Sequence, residues 1–422
     1  MMLKRRPRRP WVLGTVALAA LLIATASVVT IRLGARLPPA SVRIDAPATL
    51  AVGGASAPPI PTPARGSFAL STSMDGSVAT HDSTVERPIG SVAKGMTALV
   101  VLSIHPLAPG ESGPSLTMTS ADGVLYRRAL AQDGSAVPVR AGEILTERDL
   151  LLALLLPSAN NIAETLAVWA SGNRSAFIAR LNATAAAMGM DHSYFADPSG
   201  LSAMTVSTAA DLALLAQTVI ANPALAELVA VRQARLPDGT ILHNLDILLG
   251  QQPGWLGIKT GWTGAAGGCL LFAARGSYAP NQTVTVWGAV LGQPPSAAAD
   301  RAHPELGGAF AAARSAVVAA LKVYVAVDLA GLLPAVTGSI ATRWGSRARV
   351  VLSEQSGDVE VVRSGAVLHL KVTTLRPVAP FGSGVVVGRV TGALNATTTV
   401  TWRVVSSSAI AGPSLWWKLF SA

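Results

Sequence analysis

The chain is 422 residues long, half of them hydrophobic and 13% charged, which excludes wholesale disorder and leaves length for two or three domains with cores of their own. The formal net charge of +10 would suit a nucleic-acid surface if it were spread over a folded face. Lys4, Arg5, Arg6, Arg8 and Arg9 supply half of it, so the excess belongs to one terminal flank and no nucleic-acid partner is expected.

Directly after that flank, Trp11 to Ile31 runs without a charge, close to the ~20 residues that cross a bilayer. Basic flank first and apolar run second place the N-terminus inside and the rest on the extracytoplasmic side of the cell membrane. Ala24-Thr25-Ala26 resembles a small-residue cleavage site, so residues 1–35 fit a signal peptide or an uncleaved signal anchor, and the full length of the run favours the anchor. The single cysteine, Cys269, rules out a disulfide framework within the chain.

Residues 36–65, with LPPA and APPIPTPARG, read as a semi-extended linker without core residues. SFALSTSMDGSVATHDS then predicts two strands around a turn at Asp75-Gly76. Helical patterns follow from Ser91 to about Ala221, among them ERDLLLALLL and RSAFIARLNATAAAMGM. Strand patterns return at WLGIKTGWT, GGCLLFAAR and TVTVWGAVLG, and a helix follows at GGAFAAARSAVVAALKVYV. A helical middle flanked by strands from both ends predicts an α+β domain over 66–325, its one antiparallel sheet assembled from distant segments. Residues 335–411 carry short β-rich runs at regular spacing, which predicts a small all-β domain. In 412–422, Leu415, Trp416, Leu419 and Phe420 share one helical face, fitting either a membrane interface or a tail packed on the β domain.

Lysine is scarce: it occurs only at positions 4, 94, 259, 322, 371 and 418, so the remaining positive charge is arginine. Arginine cannot give up its proton in a protein, whereas a lysine that is buried or crowded by another cation can. In GSVAKGMTALVVL, Ser91 and Lys94 are three apart, which at a helix start puts them on one face. A serine hydroxyl needs a base to become a nucleophile, and an amine serves only when neutral. Burial, the positive end of the helix and a second cation would each lower the Lys94 pKa, and Lys259 in IKTGWTGAAGG is the candidate cation. Between them, LLLPSANNIAETLA breaks a leucine-rich helix at Pro157 and opens another after Ser158, Asn160 and Asn161. Each piece alone has a plain reading, as a solvated lysine, a helix cap or a chance tripeptide. The six histidines are scattered without ligand spacing, so no metal and no cofactor is expected.

Ser-x-x-Lys, Ser-x-Asn and Lys-Thr-Gly, in that order, form the motif set of penicillin-binding proteins and serine β-lactamases, which the chain resembles. ERPIGSVAKGMTALVVL, LLLPSANNIAETLA, LNATAAAMGMDHSYFADPSGLS and GWLGIKTGWTGAAGGCLLFAA are similar to segments of the low-molecular-mass D-alanyl-D-alanine carboxypeptidases. The resemblance covers about Gly66 to Val325, and more loosely the β domain and tail. It implies a serine DD-carboxypeptidase that removes the terminal D-Ala of peptidoglycan stem peptides through an acyl-serine and is covalently inhibited by β-lactams. It implies that Ser91 is acylated, Lys94 is its base, Ser158 relays a proton and Asn160 holds the substrate's peptide group. Lys259, Thr260 and Gly261 would line the carboxylate side of the cleft, with the N–H groups of Ser91 and Trp262 as the oxyanion hole. Arg301 matches the family's carboxylate-binding arginine once a short insertion is allowed before it. Trp262 stands where the family often has histidine, and Asn161 replaces a common aspartate. The alternatives are a β-lactamase, a DD-transpeptidase or endopeptidase, and a non-catalytic wall-binding protein.

Overall fold

The computed structural model describes residues 10–353, 359–394 and 398–421, which divide into two compact units, one of residues 56–325 and one of residues 1–55 with 326–422.

In the first unit a five-stranded antiparallel sheet runs in the spatial order Trp255–Thr263, Gly267–Ala279, Gln282–Gln293, Ser67–Thr72, Gly76–His81. Strands from both ends of the unit therefore meet in its middle, where Val290 pairs with Phe68 and Gly288 with Leu70. The central strands read as nearly continuous apolar runs because both faces are covered. Phe310, Ala313 and Val317 of helix Pro304–Lys322 share one core with Phe68, Leu70 and Phe272. A larger core holds Ala69, Leu271 and Ala289 with the helices Lys94–Ile104, Glu147–Leu155, Asn160–Ser171 and Ala209–Ala221. The leucine-rich helix starts where Thr146 and Asp149 form a reciprocal capping box, and it ends just before Pro157. That stop is what turns the chain at Ser158.

The other unit contains a seven-stranded antiparallel sheet in the order Ser41–Asp45, Thr337–Ala341, Arg347–Leu352, Thr399–Ser406, Val386–Ala393, Ala366–Thr374, Thr49–Val52. Trp402, Val404, Ile340, Leu368 and Val390 are buried in it, and the Trp402 indole donates to the Ala330 carbonyl at 3.1 Å. Residues 41–52, expected to be linker, instead supply both outer strands of this sheet. An outer strand needs backbone partners more than a run of core side chains, so the Pro- and Ala-rich surroundings hid it; only Val52 of the pair is fully buried. In helix Pro10–Gly34 residues 11–31 are all exposed, and Trp11–Gly34 is long and apolar enough to cross a bilayer. Near the other end, Ser414 caps the short helix Leu415–Phe420, which leaves Leu415, Trp416 and Phe420 exposed while the Trp417 ring meets that of Trp344 edge-on at 5.3 Å.

Candidate active site

Ser91 lies in the 3-10 turn Gly90–Ala93, which runs directly into helix Lys94–Ile104. One helical turn therefore separates the serine from the lysine, and Lys94 Nζ sits 2.7 Å from Ser91 Oγ. The same nitrogen is 2.7 Å from Asn160 Oδ1 and 2.9 Å from the Ser199 carbonyl oxygen. Lys94 is fully buried. Burial first, and then the charge of Lys259, hold its pKa well below the ordinary lysine value, against a smaller upward pull from Asp197. An amine that sheds its proton readily, in contact with a serine hydroxyl, is a base already in place.

The loop that supplies the Ser199 carbonyl is built locally. The Asp197 carboxylate accepts hydrogen bonds from the Ser199 and Leu201 amides and from the Ser199 and Thr205 hydroxyls. Thr97, one turn beyond Lys94, donates to the Pro198 carbonyl at 2.6 Å and ties the loop to the lysine helix. Asn160 is the first residue of its helix, and Asn161 beside it accepts from the Val137 N–H at 3.1 Å and donates to the Val137 carbonyl at 2.9 Å. A carboxylate could make only the first of those bonds. Ser158 is buried in the left-handed region, φ 67°, and its hydroxyl has no hydrogen-bond partner among the described residues.

The strand Trp255–Thr263 forms the opposite wall. A Cβ on Gly261 would lie 2.8 Å from the Val92 nitrogen and 3.0 Å from the Ser91 nitrogen, so only glycine lets the strand come this close to the turn. Across the same seam, a Cβ on Gly90, at φ +54°, would lie 3.2 Å from the Trp262 nitrogen. The backbone nitrogens of Ser91 and Trp262 thus border one narrow gap. Lys259 is buried with its ammonium donating to the Thr260 carbonyl at 3.1 Å. Burial lowers its pKa to about 7, while the Asp246 carboxylate pulls it upward. Thr260 is buried beside it, and the Trp262 side chain is half exposed at the rim.

Ser91, Lys94, Asn160, Lys259, Thr260, Gly261 and the Trp262 backbone are therefore brought together around one cleft. Arg301 is not joined to them: it is exposed in the turn before helix Pro304–Lys322 and makes no side-chain hydrogen bond or ion pair among the described residues. Ser199, Asp197 and Asp246 carry parts of the site that the motifs did not flag. ADPSGLS stood among the resembling segments without a role, and Asp246 sits in NLDILLG, where no pattern marks a buried acid.

The profile of the D-alanyl-D-alanine carboxypeptidase family matches residues 66–290. The chain is 34% identical over 195 residues to a D-alanyl-D-alanine carboxypeptidase of Mycobacterium tuberculosis, covering 45% of this chain and 62% of that protein. It is 32% identical over 191 residues to a D-alanyl-D-alanine endopeptidase of Escherichia coli, covering 44% of this chain and 58% of that one. The chain thus spans about three fifths of the length of these curated relatives. The crystal structure of a Streptomyces DD-transpeptidase superposes with a TM-score of 0.53 at 24% identity, covering 62% of this chain and 98% of that one, and shows the fold. With the profile extending over more than half of the sequence and its segment enclosing Ser91, Lys94, Asn160 and Lys259, this chain belongs to the D-alanyl-D-alanine carboxypeptidase family of serine DD-peptidases.

Proposed function

We propose that the protein is a serine DD-carboxypeptidase acting on peptidoglycan stem peptides that end in D-Ala-D-Ala. The observation that carries this reading is the 2.7 Å contact between Ser91 Oγ and a fully buried Lys94. Neutral Lys94 takes the Ser91 proton as Oγ bonds to the penultimate D-Ala carbonyl carbon. The developing oxyanion lies between the Ser91 and Trp262 N–H groups, and the terminal carboxylate meets Lys259 and Thr260. When the C–N bond breaks, the proton on Lys94 passes to the departing D-Ala amine, leaving an acyl-serine. Water then attacks the ester, Lys94 receives its proton, and the shortened peptide leaves as Ser91 regains a hydrogen. Ser158, two residues before Asn160, is buried with a hydroxyl that bonds neither Ser91 nor Lys94, so it relays a proton only once substrate or a water bridges the gap. Asn160 holds Lys94 and the substrate's peptide group. A β-lactam enters the same first half-reaction.

Helix Pro10–Gly34 anchors the chain in the cell membrane, and the preceding basic flank puts the catalytic unit on the extracytoplasmic side. The exposed Leu415, Trp416 and Phe420 suit a second contact with the membrane interface. Wild-type protein and Ser91→Ala are incubated with penicillin and weighed intact; D-Ala release is measured from a D-Ala-D-Ala pentapeptide, and splitting into two peptides from a cross-linked dimer. One adduct on the wild type, none on Ser91→Ala, and D-Ala from the pentapeptide are expected. An adduct on Ser91→Ala would sink the nucleophile. Cleavage of the dimer alone would make the protein an endopeptidase, as its Escherichia coli relative is named.

A further inference from the structure

Beside the cleft lies a polar pocket of about 250 Å³ whose walls include Arg128, Gln132, Asn160, Glu164, Arg174 and Ser199. Asn160 and Ser199 are two of the three groups that touch Lys94 Nζ, so the pocket begins where the reacting atoms end. No residue of the strand Trp255–Thr263 lines it. With the leaving carboxylate assigned to Lys259 and Thr260 of that strand, a pocket that shares Asn160 and Ser199 with the lysine's contacts and no residue with the strand is open to the acyl part of a peptide, upstream of the attacked carbonyl.

Two arginines, Arg128 and Arg174, and two acids, Glu164 and Asp197, line it, but only some of their hydrogen-bonding groups are used. Both Glu164 oxygens accept from Arg174 Nε, at 3.2 and 2.9 Å, and Arg128 adds a weaker, longer-range attraction to the same carboxylate. The Asp197 carboxylate behind it already accepts from two amides and two hydroxyls. The Arg128 guanidinium, on the exposed side of helix Ser120–Ala131, has no hydrogen bond or ion pair among the described residues, and the Gln132 amide beside it is also free of side-chain bonds. A guanidinium left open next to an amide donor matches a carboxylate.

We propose that this pocket is the subsite for the residue preceding D-Ala-D-Ala, and that Arg128 selects a side chain there ending in a carboxylate. The proposal rests on the DD-peptidase reading of Ser91. Acetyl-L-Glu-D-Ala-D-Ala and acetyl-L-Gln-D-Ala-D-Ala differ only in that charge. The full-length protein should release D-Ala from the Glu peptide with a kcat/KM about five- to tenfold higher, the range for a partly exposed charge-assisted bond. Salt should narrow the ratio, because Arg128 is exposed. In Arg128→Gln the ratio should fall to about one, with penicillin labelling of Ser91 reporting that the variant is folded. A ratio of one in the wild type, with D-Ala still released and Ser91 still labelled, overturns the subsite and leaves the functional reading standing. A ratio that persists in Arg128→Gln overturns Arg128 as its source. No D-Ala from either peptide and no label overturns both.

Discussion

Asp246 accepts a hydrogen bond from the indole N–H of Trp255 at 2.8 Å, which fixes a buried carboxylate against the start of the strand that carries Lys259 four residues later. The charge of Asp246 works against burial to keep Lys259 protonated, and its own pKa is raised to about 6, chiefly by burial. It is therefore ionised at neutral pH. In Asp246→Asn that support disappears and the Lys259 pKa falls further. Because a lysine binds a carboxylate only while protonated, the alkaline limb of kcat/KM for D-Ala-D-Ala peptides should move to lower pH. The loss should appear mainly as a higher KM near pH 7 and shrink toward about pH 5, where Asp246 is itself protonated and gives Lys259 no more support than an asparagine. An unmoved alkaline limb would disconnect Asp246 from Lys259.

Lys94→Arg keeps the positive charge and removes the ability to accept a proton. Acylation by penicillin should drop by ~10²-fold or more, as for loss of a general base. Lys94→Ala should be no better. Stopped-flow or mass-resolved acylation rates settle it, and an arginine variant that acylates at close to the wild-type rate would reduce Lys94 to an electrostatic role.

Lys259→Met tests the other half of the pair. The Lys259 charge is one of the two influences that lower the Lys94 pKa, so its removal raises that pKa. A base works only above its pKa, and the acid limb of penicillin acylation should move to higher pH. A lower plateau from lost carboxylate binding is expected as well, but the position of the limb is what reports the coupling.

How much of this was legible in the chain follows the range of each interaction. Ser91 and Lys94 stand one turn apart, so helical geometry alone put them together. The Ser199 carbonyl reaches Lys94 from 105 residues away, and a backbone oxygen has no signature in sequence. Asn161 looked like a departure from the family's aspartate, yet it is the amide that can bond both the N–H and the C=O of Val137. The sheet of the catalytic unit was readable from its apolar runs. The strands at 41–52 were not, because what makes them strands is pairing with segments some 300 residues later, as in Val42 with Ile340.

Glu147 offers a stability test away from the cleft. It opens helix Glu147–Leu155, is fully buried, and neither carboxylate oxygen has a hydrogen-bond partner among the described residues. Burial pushes its pKa up to about 7. Between the unfolded value of about 4.3 and that level the folded state holds more protons than the unfolded one, so stability falls as pH rises through the window. Glu147→Met removes this dependence. Urea unfolding should find the variant more stable by about 1–3 kcal/mol near pH 8, with the advantage shrinking toward about pH 5. An advantage that grows as pH falls would contradict a buried, unpaired carboxyl.

The placement of Ser41–Asp45 and Thr49–Val52 at the two rims of the seven-stranded sheet makes the catalytic unit an insertion within a discontinuous domain. During synthesis these two strands emerge early and stay unpaired until Thr337–Ala341 and Ala366–Thr374 follow, after the whole of residues 56–325 has been made. The catalytic unit can fold while they wait, since its own sheet closes within its own boundaries. A fragment cut to begin at residue 326 would lack both rims and expose two unpaired strand edges, the surface on which sheets stick to one another. The β unit is therefore one that the ribosome finishes last although it was begun first.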